Sequence, residues 1–590
     1  MRKNKILPII LSFGLAFSAF SACSKGETLY KLAYTDNLGV GAEYNRNLYY
    51  QNEAIASVGD PSAIYISDED SPYYGTYIMY GTDGAVSAVS NGNVSQHGFS
   101  AYQSDDLVHW KNLGVAFYPE LESWGLDKLW APQVIYDEED GNYYLFYTAK
   151  DRFNVLGAED YVDAFGPQGH CNAIGVAVSD SPIGPFVEYV SESKTIADPF
   201  ISAYDLTEMW KEHPDYDGYT FHSIDVSPFE DPATGNKYLY FNREKTGARN
   251  YSNICGVQIG TDNTAKWTDA PNWSTFTIMT ECGYLDVEKT QESDHTEANT
   301  NEGPFMVYRN GKYHLTFSVN NNKALYSVVQ TYGADSPLGP FEKVSYADGG
   351  KMLFCETAWK NIYSSGHAGF VEAGNQLFII YHAYSWADGN RTALVDEVKW
   401  TKNANGDEIM YVNGPTDSLQ PLVHTATEYV NIAQEATVSA TNLQANNSAD
   451  VLNDGLITVH KDYDFVKESN FQKGKSTITL SFNEYKEICS IMIYNSIDYN
   501  KYFSKIESIR LYTQDENGQE KIRIMQDVRF DVDRYVKIVD INEDEMNSME
   551  PGGAAIAEFY TQKINKIEIT FNTDKEIAVS EIYVLGRKGA

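Results

Sequence analysis

The chain has 590 residues, of which 43% are apolar, 14% aromatic and 22% charged, enough apolar material for two cores and too much for a disordered polymer. With 45 basic against 82 acidic residues its formal charge is −37, which sets it against nucleic acid and anionic lipid, disfavours a polyanionic substrate and fits a well-solvated exported protein. The 44 tyrosines and 43 glycines point to strands joined by tight turns.

The chain opens with MRKNKILPIILSFGLAFSAFSAC, a basic start, a short apolar stretch and small residues, which reads as an export signal over residues 1–22. Its end, Phe20-Ser21-Ala22-Cys23, resembles a bacterial lipobox with Phe in place of the commoner Leu. That resemblance implies cleavage before Cys23, acylation of its thiol, a tether over residues 23–45 and anchoring to an outer membrane, at the cell surface or on the periplasmic side. The alternative is an ordinary secretory signal with an incidental cysteine. No other stretch is long and apolar enough to cross a bilayer. Cys171, Cys255, Cys282, Cys355 and Cys489 are odd in number and scattered, so they are expected to be small core residues and not a disulfide or zinc framework.

From residue 46 a repeat emerges, a turn glycine followed by an alternating aromatic strand. It appears as GTYIMYGT from Gly75, GNYYLFYTAKD from Gly141, GNKYLYFNRE from Gly235, GKYHLTFSVN from Gly311 and GNQLFIIYHAY from Gly374. Each is preceded by a head: GDPSAIYI at Gly59, WAPQVIYD at Trp130, SIDVSPFED at Ser223, EGPFMVYR at Glu302 and GHAGFVE at Gly366. The turns SDSPIGPF at Ser179 and ADSPLGPF at Ala334 repeat as well, with QSDDLVHW at Gln103 as a looser counterpart. Strand repeats at irregular spacing predict an all-β chain whose first part, residues 46–428, is a five-bladed β-propeller with insertions. A plain β-sandwich would explain neither the matched heads nor the repeated turn.

In such a propeller the heads meet at one mouth of the central channel, which would gather Asp60, Trp130, Asp225, Glu302 and His367. Unpaired buried charge is costly, so three carboxylates at what read as equivalent positions ask for a reason beyond turn capping, although Asp60 before Pro61 also suits a turn. The heads Gly59-Asp60-Pro61-Ser62, Trp130-Ala131-Pro132-Gln133, Ile224-Asp225-Val226-Ser227-Pro228-Phe229, Glu302-Gly303-Pro304 and Gly366-His367 resemble, in order, the motif set of glycoside hydrolase family 43. The resemblance covers about residues 46–420 and implies an inverting hydrolase of oligosaccharides or polysaccharides that needs no cofactor for its chemistry. Carried over by motif, Asp60 resembles the general base, Glu302 the general acid and Asp225 the residue that raises the acid's pKa and orients it. Trp130 offers a sugar-facing ring or wall packing. His367 matches a position that in the family holds a calcium ion in the channel, frequently through water, and Arg391 matches one that approaches substrate and the pKa-modulating aspartate, a surface salt bridge being its bland alternative. Insertions from Asp151 and Glu281 adjoin heads and would wall the pocket, favouring attack at chain ends. By family frequency the sugar is α-L-arabinofuranose, with β-D-xylose or exo-cleaved galactan as alternatives. A non-catalytic glycan-binding lipoprotein is the rival from another class, and the intact acidic triad speaks against it.

Beyond Pro415 the texture changes to short alternating strands with polar turns, predicting a separate β-sandwich over residues 429–590. Ser448-Ala449-Asp450-Val451-Leu452-Asn453-Asp454-Gly455, Thr477–Phe482 and Val579–Gly586 resemble a factor 5/8 type C, discoidin-like jelly roll, which implies sugar binding and a structural calcium. The tryptophan usual after the Asp-Gly turn is missing, so a structural appendage packed on the propeller is the alternative. The chain is expected to act as a monomer.

Overall fold

The computed structural model describes the chain except residues 1–25, 29–44, 53–57, 84, 92–93, 154–170, 212–220, 246–250, 283–299, 358–361, 386–388, 461–462, 464, 499, 516, 526–528, 531–537, 540–544, 547–551 and 590. The signal, Cys23 and most of both insertions therefore lie outside the described residues. Among the described residues no helix is long and apolar enough to cross a membrane.

Five antiparallel sheets follow one another along the chain, and each begins with its innermost strand. Those inner strands are Gly59–Tyr65, Trp130–Asp137, Phe221–Glu230, Asn301–Arg309 and Ile362–Ala373, and each pairs with the strand after it. Each inner strand packs on the next and the fifth packs on the first, so the five blades close into a ring. Tyr49–Tyr50 pairs with Gln420–Pro421 and joins the two ends of the propeller. The propeller expected from the head-and-hairpin repeat is thus the fold.

The aromatic alternation has a direct cause. A blade in a ring has a neighbour on both faces, so both faces of its middle strands must be apolar, and five separate core clusters fill the five gaps between blades. Tyr147, between the first two blades, and Tyr240, between the third and fourth, are fully buried. Burying one such ring is worth about 1.5–3 kcal/mol, and it is this filling that makes the tyrosine count so high. The repeated Asp-Ser-Pro turns tie the outer edges: the Tyr80 hydroxyl donates to the Pro182 carbonyl, and the Tyr240 hydroxyl to the Pro337 carbonyl at 3.0 Å.

The heads are β-bulges. Pairing between inner and second strand slips between Gly59 and Ser62, Trp130 and Gln133, Ile224 and Ser227, and Glu302 and Phe305, and on both sides of Gly366. In every bulge one residue has left-handed backbone: Asp60 (φ 49°), Ala131 (47°), Asp225 (59°), Gly303 (57°) and His367 (50°). Left-handed φ is unfavourable for non-glycine residues, and four of the five heads bear it. This corrects the reading of the heads: Asp60, Asp225 and His367 are equivalent, whereas Glu302 and Trp130 each stand one residue earlier, in the position of Gly59 and Gly366. A bulge re-aims successive side chains, so the acids reach the mouth from two kinds of position.

The described C-terminal region is a ten-stranded hydrogen-bonded sheet with a separate pair, Ile538–Val539 with Glu545–Met546, and its main strands are longer than expected. Gly474–Asn495 runs for 22 residues and Ala554–Thr573 for 20, paired with each other across slips at Ser481/Lys486 and Ile488/Ser490. Gly474–Asn495 alternates between buried and partly exposed up to Phe482 and is wholly buried from Ile488 to its end, because a second apolar cluster covers that stretch. That cluster joins Tyr49, Phe354, Tyr411 and Leu419 of the propeller to Ile457, Met492, Tyr494 and Tyr583. Tyr411 donates to the Ile457 carbonyl at 2.8 Å, and Tyr494 to Gln420 Oε1 at 3.0 Å. Gly26–Thr28, within the expected tether, lies parallel to Glu520–Met525 at the edge of this sheet.

Candidate active site

The site is built on hydrogen bonds that pass from blade to blade. The residue opposite each bulge on the second strand is Thr82, Thr148, Asn242, Ser318 or His382. Four of them receive the bulge N–H of the next blade: Ala131 donates to Thr82 Oγ1 at 2.9 Å, Asp225 to Thr148 Oγ1 at 3.0 Å, His367 to Ser318 Oγ at 2.7 Å and Asp60 to His382 Nδ1 at 3.1 Å. The fifth breaks the pattern. The Gly303 N–H donates at 3.0 Å to the Asp225 carboxylate itself, and the buried Asn242 side chain has no partner among the described residues. Asp225 is thereby fixed against the residue next to Glu302.

Two glycine heads have a steric reason. A Cβ on Gly59 would lie 2.2 Å from the Arg391 guanidinium carbon, and one on Gly366 would lie 2.2 Å from a ring carbon of Tyr326. Glycine lets Arg391 reach Asp60, its Nη1 donating to Asp60 Oδ1 at 2.8 Å, and lets Tyr326 lie between blades with its hydroxyl beside Glu302. Asp60 Oδ2 accepts from Thr82 at 2.7 Å, and His367 Nδ1 stands 3.3 Å from Asp60 Oδ1 and 3.8 Å from Asp225 Oδ2. Asp60, Asp225, Glu302, His367 and Arg391 are therefore one cluster, with the half-buried Trp130 on the adjoining blade. Arg391 differs from its expectation: it pairs with Asp60, not Asp225. Tyr326, His382 and Thr82 were not singled out in the sequence, although His382 and Thr82 lie on strands whose register with a head identifies them.

The carboxyls have opposed proton affinities. Burial alone would raise Asp60, but the Arg391 guanidinium foremost, with His367 beside it, outweighs burial and holds the carboxyl well below the usual range. Burial carries Glu302 up to about 7, aided by the negative charges of Glu244 and Asp60 and opposed by the Tyr326 hydroxyl and Arg391. Asp225 is pushed well above its ordinary value by burial and then by Glu302 and Asp60, against the Gly303 N–H. Repelling carboxyls on neighbouring heads titrate as a pair, and this pair keeps a proton into the neutral range. His382 is held neutral by burial, down to about 4, which suits an Nδ1 that accepts the Asp60 N–H. An ionised carboxylate beside a protonated carboxyl can deprotonate a water and protonate a departing oxygen.

The implied metal positions divide. Among the described residues no group of three or more His, Cys, Asp or Glu side chains is placed to hold a metal. In the channel His367 is a lone nitrogen donor whose Nδ1 already faces Asp60, which does not fit a cation that takes six to eight oxygens. In the C-terminal region the candidate donors are oxygens, the type calcium takes. Asp454 and Glu581 adjoin each other, both with raised pKa from burial, and Glu581 Oε1 and Thr458 Oγ1 are buried without a hydrogen-bond partner among the described residues.

The profile of glycosyl hydrolases family 43 matches residues 55–405, all of the ring but the outermost strand of the fifth blade, and the chain belongs to that family. It is 23% identical over 304 residues to a xylosidase/arabinosidase of Bacteroides ovatus, covering 48% of this chain and 74% of that protein. It is 24% identical over 329 residues to a β-D-galactofuranosidase of Aspergillus niger, covering 53% and 74%. A crystal structure of a thermostable family-43 glycoside hydrolase matches at 24% identity with a TM-score of 0.45, over 63% of this chain and 99% of that one.

Proposed function

We propose that this glycoside hydrolase is an inverting, exo-acting enzyme that releases terminal α-L-arabinofuranosyl residues. The observation that carries the reading is the contrast between Asp60, held ionised by Arg391, and Glu302, held protonated to about 7. In this reading Asp60 takes a proton from the attacking water, Glu302 gives one to the leaving oxygen, and Asp225 orients Glu302 and shares its proton. Trp130 lines the sugar and Arg391 fixes the base. Opposed proton affinities in two neighbouring carboxyls are what acid and base roles at one pH require. The names of the relatives, a xylosidase/arabinosidase and a galactofuranosidase, favour a small terminal sugar, with β-D-xyloside and exo-cleaved galactan as the alternatives. The insertions from Asp151 and Glu281 support attack at chain ends by their places beside the heads.

The test is hydrolysis of nitrophenyl α-L-arabinofuranoside and β-D-xyloside and of a panel of natural glycans, with proton NMR of the first-formed anomer. Release of the inverted monosaccharide is expected. Retained configuration would remove the inverting assignment, and release of internal oligomers alone from a linear polysaccharide would remove the exo reading.

For the C-terminal region we propose a discoidin-like module that holds calcium through Asp454, Glu581 and Thr458 and braces the propeller. The shared apolar cluster supports the bracing role. Calcium at a hundredfold excess over its Kd should add about 2–3 kcal/mol of stability, seen as a higher Tm that a chelator reverses. Glu581→Gln should abolish that response. Lipid anchoring through Cys23 is proposed from the lipobox-like Phe20–Cys23, and Cys23→Ser should leave the protein unlabelled by a fatty acid analogue.

A further inference from the structure

A fourth carboxylate belongs to the mouth. Glu244 lies on the second strand of the third blade, two residues beyond Asn242, so its side chain leaves the strand on the same side. Its Oε2 is 3.0 Å from Nε2 of His222, its register partner on the inner strand. His222 Nδ1 accepts the Asn172 backbone N–H at 3.3 Å, so the ring proton sits on Nε2 and is donated to Glu244. On the other side Glu244 is paired with Ser252 of the third strand. Ser252 Oγ accepts the N–H of Asn301 at 3.0 Å, and Asn301 is the residue before Glu302. One chain of contacts thus runs from Asn172 through His222, Glu244 and Ser252 to the backbone that carries Glu302.

The charged and titratable groups facing Glu302 are Asp225 on the neighbouring third head, Asp60 on the first head, Tyr326 on the fourth blade, Arg391 on the fifth and Glu244 on the third. Asp60 is paired with a cation, and the Asp225 carboxylate accepts the Gly303 N–H. Glu244 is instead bound by an imidazole whose other nitrogen is an acceptor. We propose that Glu244, held by His222 and paired across the strand with Ser252, is a positioning residue for the general acid that acts on Glu302 by like-charge repulsion. This rests on the reading of Glu302 as the acid. Glu244 and Asp60 both repel an ionised Glu302.

The side chain of Glu244 is 30% exposed, so its removal should leave the fold intact and its influence should weaken with salt. Glu244→Gln is expected to move the alkaline limb of kcat/KM down by about half a pH unit to one unit, since losing a like charge makes Glu302 easier to ionise. At pH 8 a glycoside with a poor leaving group should lose activity severalfold, while a dinitrophenyl glycoside, which needs little protonation, should be nearly unchanged. Glu244→Asp should hold the limb near its wild-type position, and 1 M salt should shrink the difference between wild type and Glu244→Gln. An unmoved alkaline limb, or equal losses on both leaving groups, would overturn the proposal. Failure of the parent reading is visible separately, as full activity of Glu302→Gln on the poor leaving group.

Discussion

Glu302→Gln should lower kcat on a glycoside with a poor leaving group by about 10²–10⁴-fold and make the protein more stable above neutral pH. The first effect follows from the proposed acid role, because an amide cannot give a proton to the departing oxygen. It should fade as the leaving group improves, so the ratio of wild-type to variant rates across phenyl, nitrophenyl and dinitrophenyl glycosides is the measurement. A flat ratio would take Glu302 out of the acid role. The second effect follows from linkage. A carboxyl whose folded pKa is raised, here from 4.5 to about 7, favours the folded state below the unfolded pKa and loses that favour as pH rises through the folded one. At pH 8 the wild type holds an ionised carboxylate in a buried, repulsive site, and the neutral amide does not. The gain should be roughly 1–3 kcal/mol at pH 8 and close to zero at pH 4, read from denaturation at the two pH values. Activity and stability then move in opposite directions at one residue, as expected where a site stores electrostatic repulsion for its chemistry.

Much of this architecture is legible in the chain because its signals are local. A turn glycine, an aromatic alternation and a head recur five times, and each unit can be read without knowing its neighbours. What escapes is register. GDP, WAP, IDV, EGP and GHA look alike as heads, yet the left-handed residue is the middle one in all five, which puts Asp60 and Asp225 in one class and Glu302 in another. Aligning the second strands on Thr82, Thr148, Asn242, Ser318 and His382 would have shown the offset, since each stands opposite the residue before a bulge. Two supporting contacts were hidden for a related reason. Tyr326 lies beside Glu302, and Arg391 pairs with Asp60, only because Gly366 and Gly59 leave room. The length of Gly474–Asn495 was equally hard to read, because Asn483-Glu484 resembles a turn where the strand in fact continues through a register slip.

Arg391→Met should raise the acid limb of kcat/KM by one pH unit or more and destabilise the protein at neutral pH, the larger of the two consequences of separating Arg391 from Asp60. Burial by itself pushes Asp60 up, and Arg391 is the main cation that opposes it. With Arg391 gone, Asp60 protonates at higher pH and loses its capacity as a base over the lower part of the working range. The stability effect has a fixed sign. A carboxyl with a depressed folded pKa contributes stability above its unfolded pKa and loses it as pH falls through the folded value. The cost of Arg391→Met should therefore be greatest at neutral pH, about 1–3 kcal/mol after allowance for solvent at a guanidinium that is partly exposed, and should shrink on acidification. Asp60→Asn supplies the control. It should abolish most activity, consistent with loss of the base, yet in that background Arg391→Met should cost little stability, because no buried carboxylate is left unpaired. A full Arg391→Met penalty in the Asp60→Asn background would show that Arg391 acts by packing across Gly59 and not by holding the charge of Asp60.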